Sequence, residues 1–207
     1  MRDLLRRLVS PALAIVIVMG SAASLAPPAH SSDDVVRSSA SYADAKRALG
    51  GQVLLWSPTY TAGLSRTREI DVLAYRSGSR RATFVGSSYG GRVPSFTIAQ
   101  KASESPWAAE PVQRDSERLV ATVAITIGAP GAQRPVRARV YANCNQPDGE
   151  RVKRCAPGDV ARFGGAVVLL ARTTSGGVPR ATDVRIDSTG LSYQQLLRVA
   201  RGLRPTA

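Results

Sequence analysis

Residues 86–90 read Gly-Ser-Ser-Tyr-Gly, a G-x-S-x-G pattern that follows the mostly apolar stretch 82–85. Serine hydrolases use this spacing to lift a nucleophile on a strand-to-helix elbow, and Ser88 would be that nucleophile. The chemistry also needs a base, and the only histidine is His30, upstream of the serine rather than downstream of it. Pro94 follows Gly90 too closely for the helix an elbow requires. A Gly/Ser-rich turn is therefore the expectation for 86–90, with Ser88 a decoy and a hydrolase the alternative. A serine–lysine pair would have to recruit Lys101 or Lys153, which no spacing supports.

Paired carboxylates are the next chemistry to weigh, since an acid and an ionised partner in one cleft can break a glycosidic or ester bond. Glu69 and Asp71 share one face of an expected strand, and Asp115 and Glu117 have the same spacing. Each pair reads more simply as a solvated strand face partnered by Arg66, Arg68, Arg114 or Arg118. Asp148-Gly149-Glu150 reads as a turn, because the spacing of acidic residues in a calcium loop is absent.

Cys144 and Cys155 are the only cysteines. Two sulfurs and no nearby histidine do not complete a tetrahedral metal site, so no metal or other cofactor is expected. A disulfide is expected instead, closing a short loop that stabilises the fold by roughly 3 kcal/mol in the chain-entropy model. Basic residues gather around this staple: Arg134, Arg137 and Arg139 precede it near Tyr141, and Arg151, Lys153 and Arg154 lie within its loop. Arg137, Arg139, Tyr141, Arg151, Lys153 and Arg154 form a candidate anion-binding patch, weighed against an ordinary solvated strand face and loop. An anionic envelope polymer or a membrane protein would suit it as partner. Nucleic acid is not expected, since aromatic stacking residues are sparse and no recognised module is present. Trp56 reads as core or rim, whereas Trp107 sits in a polar, proline-flanked stretch where it would pack over a sheet edge or mark a ligand surface.

The whole chain carries the same bias: 28 basic against 15 acidic residues over 207 positions, a net charge of +13. Only Lys46, Lys101 and Lys153 among the basic residues are lysine, a composition that fits a GC-rich genome as well as a recognition role. The N-terminus has the form of an export signal. Arg2, Arg6 and Arg7 precede the apolar run 12–19, and Ser21-Ala22-Ala23 offers small residues for a peptidase. Cleavage near Ala23 is expected, leaving 25 basic and 14 acidic residues, a net +11. The alternative is an uncleaved anchor, because residues 8–26 approach the roughly 20 apolar residues a bilayer span needs. Arg6-Arg7 lacks the context of a twin-arginine signal, and no cysteine follows the run to carry a lipid. Either way the remainder is placed outside the cytoplasm, where a disulfide persists.

The elements that must position these residues follow from periodicity. Residues 24–40 mix Ser, Pro and charge and read as a linker, leaving 41–207 as one extracytoplasmic domain. Ser41 and Asp44 suggest a cap for a short helix with Tyr42, Ala45, Ala48 and Leu49 on one face. Strands are expected at 52–56, 69–76, 81–85 and 95–100, with Gly78 in a turn. Period-two alternation is cleanest at 119–127, 136–143 and 182–187. Its inward sets are Leu119, Ala121, Val123, Ile125, Ile127; Val136, Ala138, Val140, Ala142; and Val184, Ile186. Residues 166–171 are apolar throughout, as in a strand covered on both faces. Residues 191–203 show a Ser192/Gln195 capping box and a stripe of Leu196, Val199, Ala200 and Leu203, a helix ended by Pro205. The expected fold is α+β: a mostly antiparallel, curved sheet with this amphipathic helix packed on one face. A β-sandwich is the alternative.

The ending Asp183-Val-Arg-Ile-Asp-Ser-Thr-Gly-Leu-Ser-Tyr-Gln-Gln-Leu-Leu-Arg-Val-Ala-Arg-Gly-Leu resembles the close of bacterial extracytoplasmic sensor-like domains, including those at the C-termini of some membrane-anchored anti-sigma factors. There a final strand runs into a helix of similar pattern. The resemblance spans the C-terminal ~40 residues and implies a non-enzymatic envelope domain. The expected function is therefore that of a secreted or envelope-associated binding, sensor-like or structural module.

Overall fold

The computed structural model describes residues 35–48, 54–77, 80–103, 116–144, 154–175 and 178–206. The expected export segment 1–23 lies outside them, as do Gly78, Trp107, Asp115, Arg151 and Lys153. In chain order the elements are β1 (Val35–Ser39), α1 (Tyr42–Ala48), β2 (Trp56–Pro58), β3 (Ile70–Ser77), β4 (Arg80–Gly90), β5 (Ser95–Ser103), β6 (Arg118–Ile127), β7 (Arg134–Ala142), α2 (Asp159–Phe163), β8 (Gly165–Ser175), β9 (Val178–Thr189), α3 (Tyr193–Arg201) and β10 (Leu203–Pro205). Eight strands form one antiparallel sheet in the order β1-β3-β4-β5-β9-β8-β7-β6, and β10 pairs with β2. The second sheet has only two strands, so the layers are helices on one large sheet rather than two comparable sheets.

Alternation along each strand sorts the side chains between two faces. Val85, Phe96, Ile98, Ile125, Ile127, Val136, Ala138, Val140, Ala142, Val167, Leu169, Val184 and Ile186 are buried on the first face. The helices close it. Leu196, Leu197, Val199 and Ala200 of α3 join the cluster, while Tyr42 and Ala45 of α1 pack with Leu55, Ile70, Val72 and Val85. The α3 capping box is formed: the Ser192 side chain accepts from the Gln195 N–H, and the Gln195 side chain accepts from the Ser192 N–H. Gln100, also buried on this face, exchanges two 2.7 Å hydrogen bonds with the Trp56 main chain and so ties β2 to the sheet. Residues 166–169 of β8 are buried on both sides where the strand lies between β9 and β7, with Ala166 and Val168 alongside Tyr141 on the second face.

Several expectations are corrected. Residues 35–39, placed in the linker, are a strand paired with β3, with Val35 opposite Ala74 and Ser39 opposite Ile70. Their backbone groups find a ladder from a segment more than thirty residues away, which local composition does not reveal. The C-terminal helix stops at Arg201, and Leu203 is buried from a strand, because β2 supplies partners for its backbone. Leu119 is exposed rather than inward: the register shifts between Leu119 and Ala121, and such a bulge reverses the side on which a residue falls. Tyr141 and Asp183, on the side of their strands opposite the inward sets, are buried too, Tyr141 in a cluster with Ala166 and Val168. No helix among the described residues is long and apolar enough to cross a membrane.

Candidate functional site

The G-x-S-x-G residues do not form an elbow. They lie within β4, which stays extended through Tyr89 and pairs with β5 from Ala82 to Gly90. A turn at 86–90 is thus corrected as well: with Ser87 opposite Ile98 and Tyr89 opposite Phe96, the segment alternates as a strand does. Ser88 is half-buried, registers with Thr97, and its carbonyl accepts hydrogen bonds from the Thr67 N–H at 3.0 Å and the Thr67 hydroxyl at 3.3 Å. Only the second of the two glycines has a local reason. Gly90 has φ +80°, and a Cβ there would sit 2.4 Å from the Pro94 carbonyl oxygen, whereas Gly86 meets nothing nearer than the Asp71 Cβ at 4.0 Å.

The residues flanking Ser88 point into the core. The Ser87 hydroxyl lies 2.5 Å from the Tyr42 hydroxyl, both buried, and Tyr89 stacks on Phe96 with ring centroids 4.6 Å apart. Burial, reinforced by Tyr89, pushes the Tyr42 phenol far above its ordinary value of 10.0, and the Ser87 hydrogen bond offsets only part of this. A phenol held neutral cannot act as the base for Ser87. Its consequence is for stability. The folded phenol resists ionisation while the unfolded one ionises above 10.0, so its contribution is whole below that pH and is lost as pH rises beyond it. Urea midpoints taken from pH 9 to pH 11 are expected to fall more steeply for the wild type than for Tyr42→Phe, by up to about 1.4 kcal/mol per pH unit. Parallel curves would remove the assignment.

The carboxylate pairs separate into two kinds. Glu69 is exposed and Asp71 pairs with Arg68 at 3.2 Å, a solvated arrangement as expected. Glu117 is different. It is 1 % exposed and binds the guanidinium of Arg185, which also takes Asp187 at 2.7–3.0 Å through Nε and Nη2. The expectation of a solvated Glu117 is corrected, because the ladder from β6 through β7 and β8 to β9 delivers Arg185 from 68 residues away; Arg114 lies outside the described residues. Burial alone would lower the Arg185 pKa, but its hydrogen bonds to Asp187 and Glu117 outweigh this and raise it above the usual arginine value. The alternation Asp183-Val-Arg-Ile-Asp187 was the sequence signal that Arg185 and Asp187 share a face.

Cys144 and Cys155 are joined in a disulfide that links the end of β7 to the turn entering α2. Asp159 lies beside the pair, the three being the grouping of possible metal ligands among the described residues. Both sulfurs are bonded to each other, however, and the Asp159 carboxylate accepts the Ala156 N–H at 2.8 Å, so the donor set does not suit a metal.

Of the candidate anion-binding residues, the structure brings together Arg137 and Arg139, two apart on the second face of β7, about 7 Å from one another. Arg137 is exposed and Arg139 half-buried. Their cross-strand neighbours Ala124, Thr122 and Val168 carry no charge. Tyr141 continues the row but is buried, which removes it as an exposed contact. Arg154 is exposed at the far side of the staple, and Arg151 and Lys153 lie outside the described residues. Compared with protein-family models, curated proteins and solved structures, the chain finds no match in any of the three.

Proposed function

We propose that the chain is an extracytoplasmic, non-catalytic binding or sensor-like module of the cell envelope that takes an anionic polymer along β7. The observation that carries this reading is the pair Arg137 and Arg139, two residues apart on one face of that strand, with Arg137 exposed. Two guanidinium groups at this spacing suit successive carboxylates or phosphates. The disulfide is compatible with an oxidising compartment, and the resemblance of the C-terminal strand and helix to sensor-like domains supports the non-enzymatic reading.

The test is the salt needed to elute the full chain from an immobilised sulfated polysaccharide. The triple variant Arg137→Glu, Arg139→Glu, Lys153→Glu is expected to elute at markedly lower salt than the wild type. The control Arg92→Glu, Arg118→Glu, Arg162→Glu makes the same change in net charge at exposed positions elsewhere and is expected to elute closer to the wild type. Equal elution of the two variants would overturn the assignment to β7.

A further inference from the structure

β6 is the last strand in the order of the large sheet, and among the described residues no strand pairs with its outer edge. Such an edge is a template for another strand, and sheets ordinarily guard it with lysine, proline or an early stop. β1, at the other end of the order, is five residues long with Arg37 among them. β6 has ten residues, and from Leu119 to Gln133 the chain carries no charge, although 21 % of the whole sequence is charged. Six of the ten are valine, isoleucine or threonine, the types that favour pairing.

The edge available runs from Ala121 to Ile127. The irregularity against β7 lies between Leu119 and Ala121, and beyond it the register is unbroken to Ile127. The Gly128 N–H then donates to the Leu203 carbonyl at 3.4 Å, which ends the free edge. Within 121–127 every second residue turns its N–H and C=O away from β7, and among the described residues no turn, loop or cap hydrogen bond reaches them. The core face is also unfinished here. Ala121 and Val123 are half-buried, whereas their β7 partners Val140 and Ala138 are fully buried. On the second face Thr122, Ala124 and Thr126 are exposed.

This stretch is complementary to itself. Two β6 strands related by a two-fold axis perpendicular to the sheet run antiparallel with like faces together, and an axis at Ala124 uses the whole of 121–127. Ala121 then faces Ile127 of the second copy, Val123 faces Ile125, Thr122 faces Thr126, and Ala124 faces Ala124. Apolar pairs fall on the core face and threonine pairs on the other, both favourable across strands. The two half-exposed positions meet Ile125 and Ile127, which are buried, so what covers those residues in one copy extends over the open positions of the other. A slip by one residue sets the core face against solvent, so the register is specified.

Charge does not oppose the contact, even in a chain of net charge +13. Arg118 lies outside the paired stretch. Arg137 is in register with Ala124, so the row through the axis reads Arg137, Ala124, then Ala124 and Arg137 of the second copy. Three strand steps, about 14 Å, separate the two arginines, more than the screening length of about 8 Å at physiological salt. The contact uses the free edge of both copies and therefore stops at two.

We infer that the chain forms a two-fold homodimer by antiparallel pairing of β6 with β6 of a second copy, centred on Ala124. The surface is distinct from the β7 arginines and does not depend on what they bind.

The experiment is sedimentation velocity of the full chain across the micromolar range, with single substitutions at exposed positions. Ala124→Lys sets two like charges face to face on the axis and is expected to weaken dimerisation at least about tenfold. Thr97→Lys adds the same charge to the same face on β5, four strands away, and is expected to leave it unchanged. A monomeric wild type overturns the proposal. So does a dimer that both substitutions leave intact, the result expected of association through the apolar stretch 8–26. Equal weakening by both would mean net charge alone and overturn it too. A second measurement reads the register. The two native cysteines are bridged to each other, so Ala124→Cys carries the only thiol, about 4.5–5.5 Å from its copy between Cα atoms and within disulfide reach. It is expected to crosslink under mild oxidation. Thr122→Cys, about 14 Å from its own copy, is expected not to. Crosslinking of both alike, or of Thr122→Cys alone, overturns the pairing.

Discussion

Replacing Arg185 with methionine is expected to cost about 3–5 kcal/mol of folding free energy, the usual consequence of removing one partner from a buried ionic cluster. The guanidinium side chain is 12 % exposed, Glu117 1 % and Asp187 25 %. Without Arg185, two carboxylates share a weakly solvated site on β9 and beside β6 with this cation gone. The partial exposure of Asp187 places the loss toward the lower end of the range. Urea unfolding at neutral pH measures it directly. A triple change to methionine, glutamine and asparagine at Arg185, Glu117 and Asp187 is expected to recover part of the loss, because no net charge is then left behind. A loss below about 1 kcal/mol for the single variant would mean that water reaches the cluster freely.

Removing the disulfide by Cys144→Ala, Cys155→Ala is expected to lower stability by about 3 kcal/mol in the chain-entropy model, since a short closed loop is released in the unfolded chain. The folded state is also affected. Cys144 is buried, and Val160 of the adjoining α2 is wholly buried in the main cluster, so the staple holds that helix where its apolar side chain is used. The Asn143 N–H to Gly164 carbonyl hydrogen bond at 3.1 Å braces the same corner. Denaturant midpoints of the wild type with and without reductant, compared with the double variant, report the effect. Identical midpoints in all three would show that the bridge adds nothing to stability.

Much of the strand content was legible because alternation is a local signal. Val136, Ala138, Val140 and Ala142 follow it from end to end and are buried. Of the uniformly apolar stretch 166–171, residues 166–169 are buried on both faces, as the pattern indicates, and the side chains of 170 and 171 lie outside the described ones. The α3 cap was legible for the same reason: Ser192 and Gln195 satisfy each other's backbone within one turn. Failures arose where a distant segment decides. Leu119 keeps the alternating spacing in sequence, yet a bulge against β7 turns it outward. The serine motif at 86–90 has the spacing of an elbow, yet pairing with β5 keeps it extended.

The amino-acid sequence by itself determined the two cysteines to be bridged, the side of each regular strand that faces the core, the capped C-terminal helix and the basic character of the chain. Each depends on residue types within a turn or a strand, or on chemistry that has only one available partner. Only the tertiary structure decided that Val35–Ser39 is a strand and that Glu117 meets Arg185. The physical reason is that a period of two fixes which way a side chain points but not which strand lies beside it. Neighbours are chosen by long-range pairing, and here that pairing joins residues as far apart in the chain as Trp56 and Pro205.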